Sequence, residues 1–151
     1  MRRSSSGISP VVATVILVAI AIVIAIAVAF WASGLVGVFT RFEKIEVVSS
    51  IMTDAKTFEI VVRNTGSADA AIDQVVINGR FIGKPDKPIP LQVGEEKTIT
   101  VTVENSPPAG ITVEIALHSA AGKTYPTAVV ATLGTGTGPW NAGKVTVEVK
   151  K

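Results

Sequence analysis

The chain has 151 residues, no cysteine, and 14 basic against 12 acidic side chains. Disulfide bonds are therefore excluded, and the chain is long enough to build an ordinary hydrophobic core. The basic excess consists of Arg2 and Arg3, and after residue 40 the acidic and basic side chains balance, which argues against the basic face that nucleic-acid binding requires.

An uncharged apolar segment runs from residue 8 to residue 40, behind a short leader that contains Arg2 and Arg3. A helix of that length measures about 50 Å, whereas the hydrocarbon core of a bilayer is about 30 Å thick. The apolar region of a secretory signal is shorter, about 7–15 residues. We therefore predict a membrane helix over residues 8–42 that stays attached to its domain. The basic leader places its N-terminus on the cytoplasmic side.

The start of this helix and one of its faces have recognisable patterns. Ser9 is a good N-cap and Pro10 suits the first helical position, so the helix is predicted to begin near Pro10. Small residues then recur at every fourth position, namely Ala21, Ala25, Ala29, Ser33 and Gly37. Such rows let helix backbones approach closely, and we interpret this one as a helix-packing and polymerisation surface. The alternative is that alanine is simply common in apolar helices.

Residues 6–14 have the sequence Ser-Gly-Ile-Ser-Pro-Val-Val-Ala-Thr and lead directly into the apolar segment. This arrangement resembles the start of archaeal type IV pilins, which carry a class III signal peptide. The resemblance implies that residues 1–7 are a leader, that a prepilin peptidase cuts between Gly7 and Ile8, and that an assembly ATPase and a membrane platform protein build a homopolymer. Val12 stands where subunits of archaeal swimming filaments often carry Glu, which favours an adhesion pilus.

From about residue 43 the hydrophobic residues no longer follow the period of a helix. They alternate with polar residues instead, and this period of two residues is typical of a half-buried strand. Turns are predicted at Asn64-Thr65-Gly66, at Asn78-Gly79 and at Ala121-Gly122, and the proline-rich residues 84–90 are predicted to form a loop. The predicted strands cover residues 44–48, 57–63, 72–77, 91–93, 97–103, 112–118, 127–133 and 144–150.

Seven or eight short strands at this spacing indicate an immunoglobulin-like β-sandwich over residues 43–151, without the cysteine pair of antibody domains. The predicted fold class is α+β by layout, with one long N-terminal hydrophobic helix followed by an all-β sandwich. Residues 61–72, 76–79 and 93–101 also resemble the sandwich domains of archaeal pilins and of extracellular adhesion modules.

Side chains with catalytic or metal-binding chemistry are few. His118 is the single histidine and is interpreted as structural, while Asp69 and Asp73 lack the spacing of a calcium loop and are interpreted as surface residues. The glycine-rich residues 134–138 lack the lysine of a phosphate loop and are predicted to be flexible. Trp140 is expected to close one end of the sandwich, with contact to a neighbouring subunit or a sugar as the alternative. No catalytic, cofactor or metal residues are predicted, and the chain is not expected to be an enzyme.

The predicted function is that of a structural subunit of an extracellular type IV pilus-like filament for adhesion. The precursor would reside in the cell membrane, and the mature subunits would form a surface filament that binds no nucleic acid. Two alternatives remain open. One is a subunit of an archaeal swimming filament, and the other is an extracellular binding module for which the helix is only a membrane anchor.

Overall fold

The computed structural model describes the backbone of residues 8–150 and the side chains of residues 9–35 and 41–150. The chain divides after Arg41 into a helical unit and a second compact unit that begins at Phe42, here called the β-unit. The predicted layout of one long hydrophobic helix followed by an antiparallel β-sandwich is confirmed. The leader, including Gly7, lies outside the described residues.

Helix α1 comprises the 33 residues Ile8–Thr40. It begins two residues before the predicted start, so Ser9 lies in the first turn and not at the N-cap. Pro10 is tolerated there because the first four amides of a helix have no partner within it. The hydroxyl of Thr14 donates to the Pro10 carbonyl oxygen at 2.8 Å, which occupies an acceptor of the first turn.

Nine strands follow in the described part of the chain. They are β1 Ile45–Asp54, β2 Thr57–Asn64, β3 Ala70–Ile77, β4 Phe81–Gly83, β5 Ile89–Leu91, β6 Glu96–Val103, β7 Thr112–Ser119, β8 Thr124–Val130 and β9 Val145–Val149. One sheet has the order β1-β2-β6-β9, and the other has the order β4-β3-β7-β8 with β5 also paired to β3. Every pairing of these strands is antiparallel.

This strand order corresponds to an immunoglobulin-like arrangement with one change. Strands β1, β2 and β6 take the places of strands A, B and E, and β3, β7 and β8 take those of C, F and G. The place of strand D beside E is filled by β9, the last strand, while β4 and β5 stay with β3 in the other sheet. The sheets also meet at one edge, where the hydroxyls of Ser50 in β1 and Thr127 in β8 lie 3.0 Å apart.

The core lies between the two sheets and consists of alternate residues of the paired strands, as a period of two requires. Its largest fully buried side chains include Phe58, Ile60, Ile72, Ile77, Leu91, Ile99, Ile115 and Leu117. Burying one such side chain stabilises a fold by about 1.5–3 kcal/mol. Among the residues whose side chains are described, all members of this core belong to the β-unit.

Several predicted boundaries differ from the observed strands. Strand β4 was not predicted, because three residues are too few to establish a period. Strand β5 shares only Leu91 with the predicted strand 91–93. Its other residues, Ile89 and Pro90, were predicted to lie in a loop but pair with β3, with Pro90 opposite Ala71. A proline is accommodated there because β5 is an edge strand, where a missing amide donor breaks no central ladder.

The predicted turn at Asn78-Gly79 is confirmed. Both residues have positive φ angles, 48° and 65°, as the two central residues of a type I′ turn must. The Arg80 amide closes the turn by donating to the Ile77 carbonyl oxygen at 3.0 Å. The turn also ties β3 to β7, because the Asn78 side-chain oxygen accepts the Glu114 amide at 2.8 Å.

Asn64 is buried, with 1% of its surface exposed, and its side chain links three segments of the β-unit. Its Nδ2 donates to the carbonyl oxygens of Ala68 at 2.9 Å and Leu91 at 3.0 Å. Its Oδ1 accepts the Gly66 amide at 2.9 Å, which forms the predicted turn as an Asx turn. Since each polar atom of this side chain has a partner, its burial carries no unsatisfied group.

We expect Asn64→Ala to destabilise the β-unit by about 2–4 kcal/mol, because two carbonyl oxygens and one amide lose their partner. The measurement is denaturant unfolding of the full chain in detergent micelles, followed by circular dichroism of the strands. The matched control is Thr65→Ala, since Thr65 is exposed and bonds through its backbone amide. Equal unfolding midpoints for the two variants would contradict the role given to Asn64.

Candidate functional site

The described surface of α1, over Ser9–Leu35, is predominantly apolar on every side and contains no buried residue. Each described side chain from Ser9 to Gly34 is exposed, and none of the residues of its candidate membrane span is buried. Large side chains such as Phe30 and Trp31 expose 77% and 69% of their surface. A helix that is hydrophobic all round is stable only inside protein or lipid, so α1 needs an environment other than water.

The span Ser9–Leu35 has 27 residues and a mean hydropathy of 3.3. As a helix it is about 40 Å long, whereas about 20 residues suffice to cross a bilayer. This helix is long and apolar enough to cross a membrane and lies near the N-terminus, the position of a membrane anchor or a signal sequence. The span is therefore longer than the minimum for one crossing, and it has more apolar surface than one crossing requires.

The predicted small-residue row lies on α1, and one part of it forms a shallow hollow. The hollow has a volume of about 200 Å³ and is lined by Ile26, Ala29, Phe30 and Ser33. Ala29 and Ser33 contribute short side chains between the longer Ile26 and Phe30. A bulky side chain of another helix would fit between such ridges, as in ridges-into-grooves packing. Gly37 also lies in α1, in the part whose side chains are not described.

The geometry of the row limits how many of its members one neighbour can contact. Positions four residues apart on an α-helix are displaced by about 40° around the axis. Ala21 and Gly37, at the two ends of the row, are therefore separated by about 160°. A single straight neighbour meets only the central members, such as Ala25, Ala29 and Ser33. The complete row fits a helix that is surrounded by several neighbours.

The start of the β-unit is held by hydrogen bonds from two sides. The Phe42 amide donates to the Ser67 hydroxyl at 3.0 Å, and the Ser67 amide donates to the Phe42 carbonyl oxygen at 2.9 Å. The Glu43 carboxylate accepts the Tyr125 hydroxyl at 3.1 Å. Partial burial and this carboxylate raise the pKa of Tyr125, so the tyrosine stays a neutral donor. The bonded part of the β-unit thus begins two residues after the end of α1.

The side chains considered for chemistry are dispersed. His118 lies in β7, where its Nδ1 is 3.2 Å from the Thr124 hydroxyl. Within residues 8–150, no three His, Cys, Asp or Glu side chains form a group that could hold a metal ion. Asp69 and Asp73 are exposed, as predicted, and the Asp69 carboxylate also accepts the Val93 amide at 3.1 Å, in the segment between β5 and β6.

Trp140 packs on the sandwich as expected, and its contact with a neighbouring subunit or a sugar stays a prediction. Its ring is half-buried against the core and lies 6.3 Å from the ring of Phe81, at a tilt of 50°. Its Nε1 donates to the Asn105 carbonyl oxygen at 3.0 Å. The side chain therefore closes one end of the sandwich and still presents part of its ring to the surface.

The glycine-rich residues 134–138 lie in a loop between β8 and β9, as predicted, and hydrogen bonds attach this loop to the segment after β6. The Thr135 amide donates to the Ser106 hydroxyl at 2.8 Å, and the Gly136 amide donates to the Pro107 carbonyl oxygen at 3.0 Å. A Cβ atom at Gly136 would overlap the Ser106 carbonyl oxygen. Glycine is needed here for close backbone approach, and the sequence pattern alone does not distinguish that requirement from mobility.

Comparison of the chain with protein-family models and with curated proteins finds no match. The resemblance of residues 6–14 to archaeal pilins therefore stays a prediction. The same holds for processing between Gly7 and Ile8. Ile8 is the first residue of α1.

Because the glycine-rich segment lies against backbone, Gly136→Ala should release it from residues 106–108. We expect a destabilisation of about 1–3 kcal/mol, the usual cost of inserting a carbon into a packed site, and faster hydrogen exchange at the Thr135 and Gly136 amides. The measurement is hydrogen exchange with mass spectrometry on the full chain. Thr135→Ala is the control, since Thr135 is exposed and bonds to Ser106 through its amide. Unchanged protection in Gly136→Ala would overturn this account.

Proposed function

We propose that this chain is a structural subunit of an extracellular filament of the type IV pilus kind, and that it serves adhesion. The observation that carries the proposal is the combination of a long apolar helix, exposed over Ser9–Gly34, with a β-unit whose described core residues all lie outside that helix. Such a helix can change its environment while the β-unit stays folded. A filament subunit needs this property, because its helix leaves the membrane when the subunit is assembled.

The energetics of assembly favour this interpretation. In the membrane α1 is surrounded by lipid, and in a filament it would be surrounded by copies of itself. When α1 moves from lipid to a bundle of helices, little of its surface leaves water. The usual gain of about 25 cal/mol per Å² of apolar surface removed from water is therefore an upper bound for assembly. Van der Waals fit then decides the association, as it does between helices in membranes. The small-residue row and its hollow are the features of α1 that provide such a fit.

The partners follow from the proposed pathway. The resemblance of the first residues implies a prepilin peptidase that removes the leader, an ATPase that supplies energy, and a membrane platform that delivers subunits. The main partner is the chain itself in many copies. The precursor would reside in the cell membrane and the mature subunit in a surface filament, with the β-unit outside.

The first test replaces Ala25 and Ala29 together by Leu. The helix stays apolar, but the longer side chains prevent close helix approach, so we expect about a tenfold or greater loss of filaments. Cells that produce the variant are sheared, and the filaments are examined by cryo-electron microscopy. The matched control replaces Ala19 and Ala27 by Leu, which adds the same volume outside the row.

Three outcomes are informative. Filaments from the control but not from the row variant support assembly through the row. Normal filaments from the row variant would contradict it. Wild-type chain found only in membranes, with no filament, would contradict the whole proposal and favour a membrane-anchored binding module.

The second test concerns processing. We expect the mature subunit to begin at Ile8, and we expect Gly7→Leu to remain an uncut precursor in the membrane, because the resemblance places the cut directly after Gly7. Mass spectrometry of the N-terminal peptide measures both. Ser4→Leu is the control, since it adds the same side chain away from the proposed cut. Normal trimming of Gly7→Leu would move the processing site elsewhere.

A further inference from the structure

A polar cleft lies at one end of the β-sandwich, and filament assembly leaves it without a role. Its volume is about 370 Å³, within the range of sites for small molecules. It is formed by three segments that are distant in sequence: the turn after β1, the segment after β6 and the segment between β8 and β9. Its main side chains are Lys56, Asn105, Thr137, Trp140 and Asn141. We call it the end cleft.

The aromatic wall of the end cleft is held in a fixed orientation. The Trp140 ring packs on the core and on Phe81, and its Nε1 is bonded to the Asn105 carbonyl oxygen at 3.0 Å. Since the indole N–H is already used, the ring offers the end cleft an apolar surface. A tryptophan fixed in this way loses little conformational entropy when a ligand contacts it.

Several polar atoms of the residues that line the end cleft have no protein partner within the described part of the chain. Asn105 uses its Nδ2 to donate to the Asn141 carbonyl oxygen at 2.9 Å, and Asn141 uses its Oδ1 to accept the Gly143 amide at 3.0 Å. The Asn105 Oδ1, the Asn141 Nδ2, the Thr137 hydroxyl and the Lys56 ammonium have no hydrogen-bond partner among the described residues. The end cleft therefore offers both donors and an acceptor beside one aromatic face.

The floor of the end cleft is also held in place. The bonds from Thr135 and Gly136 to residues 106 and 107 attach the glycine-rich segment to the opposite wall. The Asn105 side chain also joins these two segments, because it donates to the carbonyl oxygen of Asn141. The Asn105 and Asn141 side chains are thus positioned before a ligand arrives, which reduces the ordering that binding requires.

These features fit a sugar ring. A pyranose has an apolar C–H face that packs on an indole, and its rim of hydroxyls needs donors and acceptors together. A proline-rich peptide would instead need a row of aromatic rings, and Trp140 is the one aromatic residue that lines this cleft. Lys56 is the sole charged residue of the lining, so the charge of the end cleft is complementary to an acidic sugar.

We propose that the end cleft binds a saccharide that carries a carboxylate, with the sugar ring on Trp140 and the carboxylate at Lys56. This inference rests on the adhesive part of the proposed function but not on assembly, because all its residues belong to the β-unit. It is therefore tested on unassembled chain, so that a failure to bind sugar and a failure to form filaments are seen separately.

The binding experiment uses the full chain in detergent micelles with Trp31→Phe. The sequence has two tryptophans, so this change makes Trp140 the single indole fluorophore. Galacturonic acid oligosaccharides are titrated, and neutral galactose oligosaccharides of equal length serve as the matched ligand. We expect a saturable change in Trp140 fluorescence with the acidic ligand and about fivefold weaker binding of the neutral one.

Variants then identify the residues. Lys56→Gln should weaken acidic-ligand binding about fivefold and leave neutral-ligand binding unchanged, and Thr137→Val should weaken both about threefold to fivefold. Both residues are exposed, so folding is expected to be preserved. Lys44→Gln is the control, because it removes the same charge at the opposite end of β1.

Absence of a saturable fluorescence change with either sugar would overturn the proposal. Equal weakening by Lys44→Gln and Lys56→Gln would also overturn it, because the attraction would then be general and not local to the cleft. A proline-rich peptide that binds where the sugars do not would replace the sugar as the ligand.

Discussion

The apolar surface of Ser9–Leu35 has to be kept out of water, and the remaining features of the chain accommodate that requirement. Side chains around the whole circumference of this span are exposed, so no single packing partner on one side could cover them. Lipid satisfies the requirement, and so does a bundle of several identical helices. The oblique path of the small-residue row from Ala21 to Gly37 is compatible with such a bundle, because its members lie at different angles around the helix axis.

A helix that changes surroundings must not be part of the core of its own domain. The β-unit meets this condition with an immunoglobulin-like sandwich in which β9 takes the place of strand D beside β6. Buried Asn64 is satisfied within the β-unit by three hydrogen bonds, one of which reaches Leu91 in β5. The bonds at Phe42 and Glu43 hold the entry of the chain to the sandwich. A mechanical force that pulls on the start of the β-unit would therefore act on residues that are held by hydrogen bonds.

Assembly and recognition are placed in separate parts of the proposed subunit. Strand β1 runs from the entry of the β-unit near Ile45 to the turn beside Lys56, a distance of about 33 Å for an extended strand of this length. The end cleft thus lies at the far end of the sandwich from the entry. A ligand bound there would not interfere with the residues that hold the start of the β-unit.

The sequence by itself determined the long apolar helix, the β-sandwich that follows it and most strand positions, because these depend on local hydrophobic period and on turn residues such as Asn78-Gly79. It did not reveal β4, because three residues are too few to show a hydrophobic period. It also did not reveal that residues 134–138 are hydrogen-bonded to the segment after β6, since glycine occurs both in mobile loops and where two backbones approach closely. Only the tertiary structure placed β9 beside β6 and brought Lys56, Asn105 and Trp140 into one cleft. Long-range contacts of this kind depend on how the two sheets pack, and no local pattern in the chain encodes them.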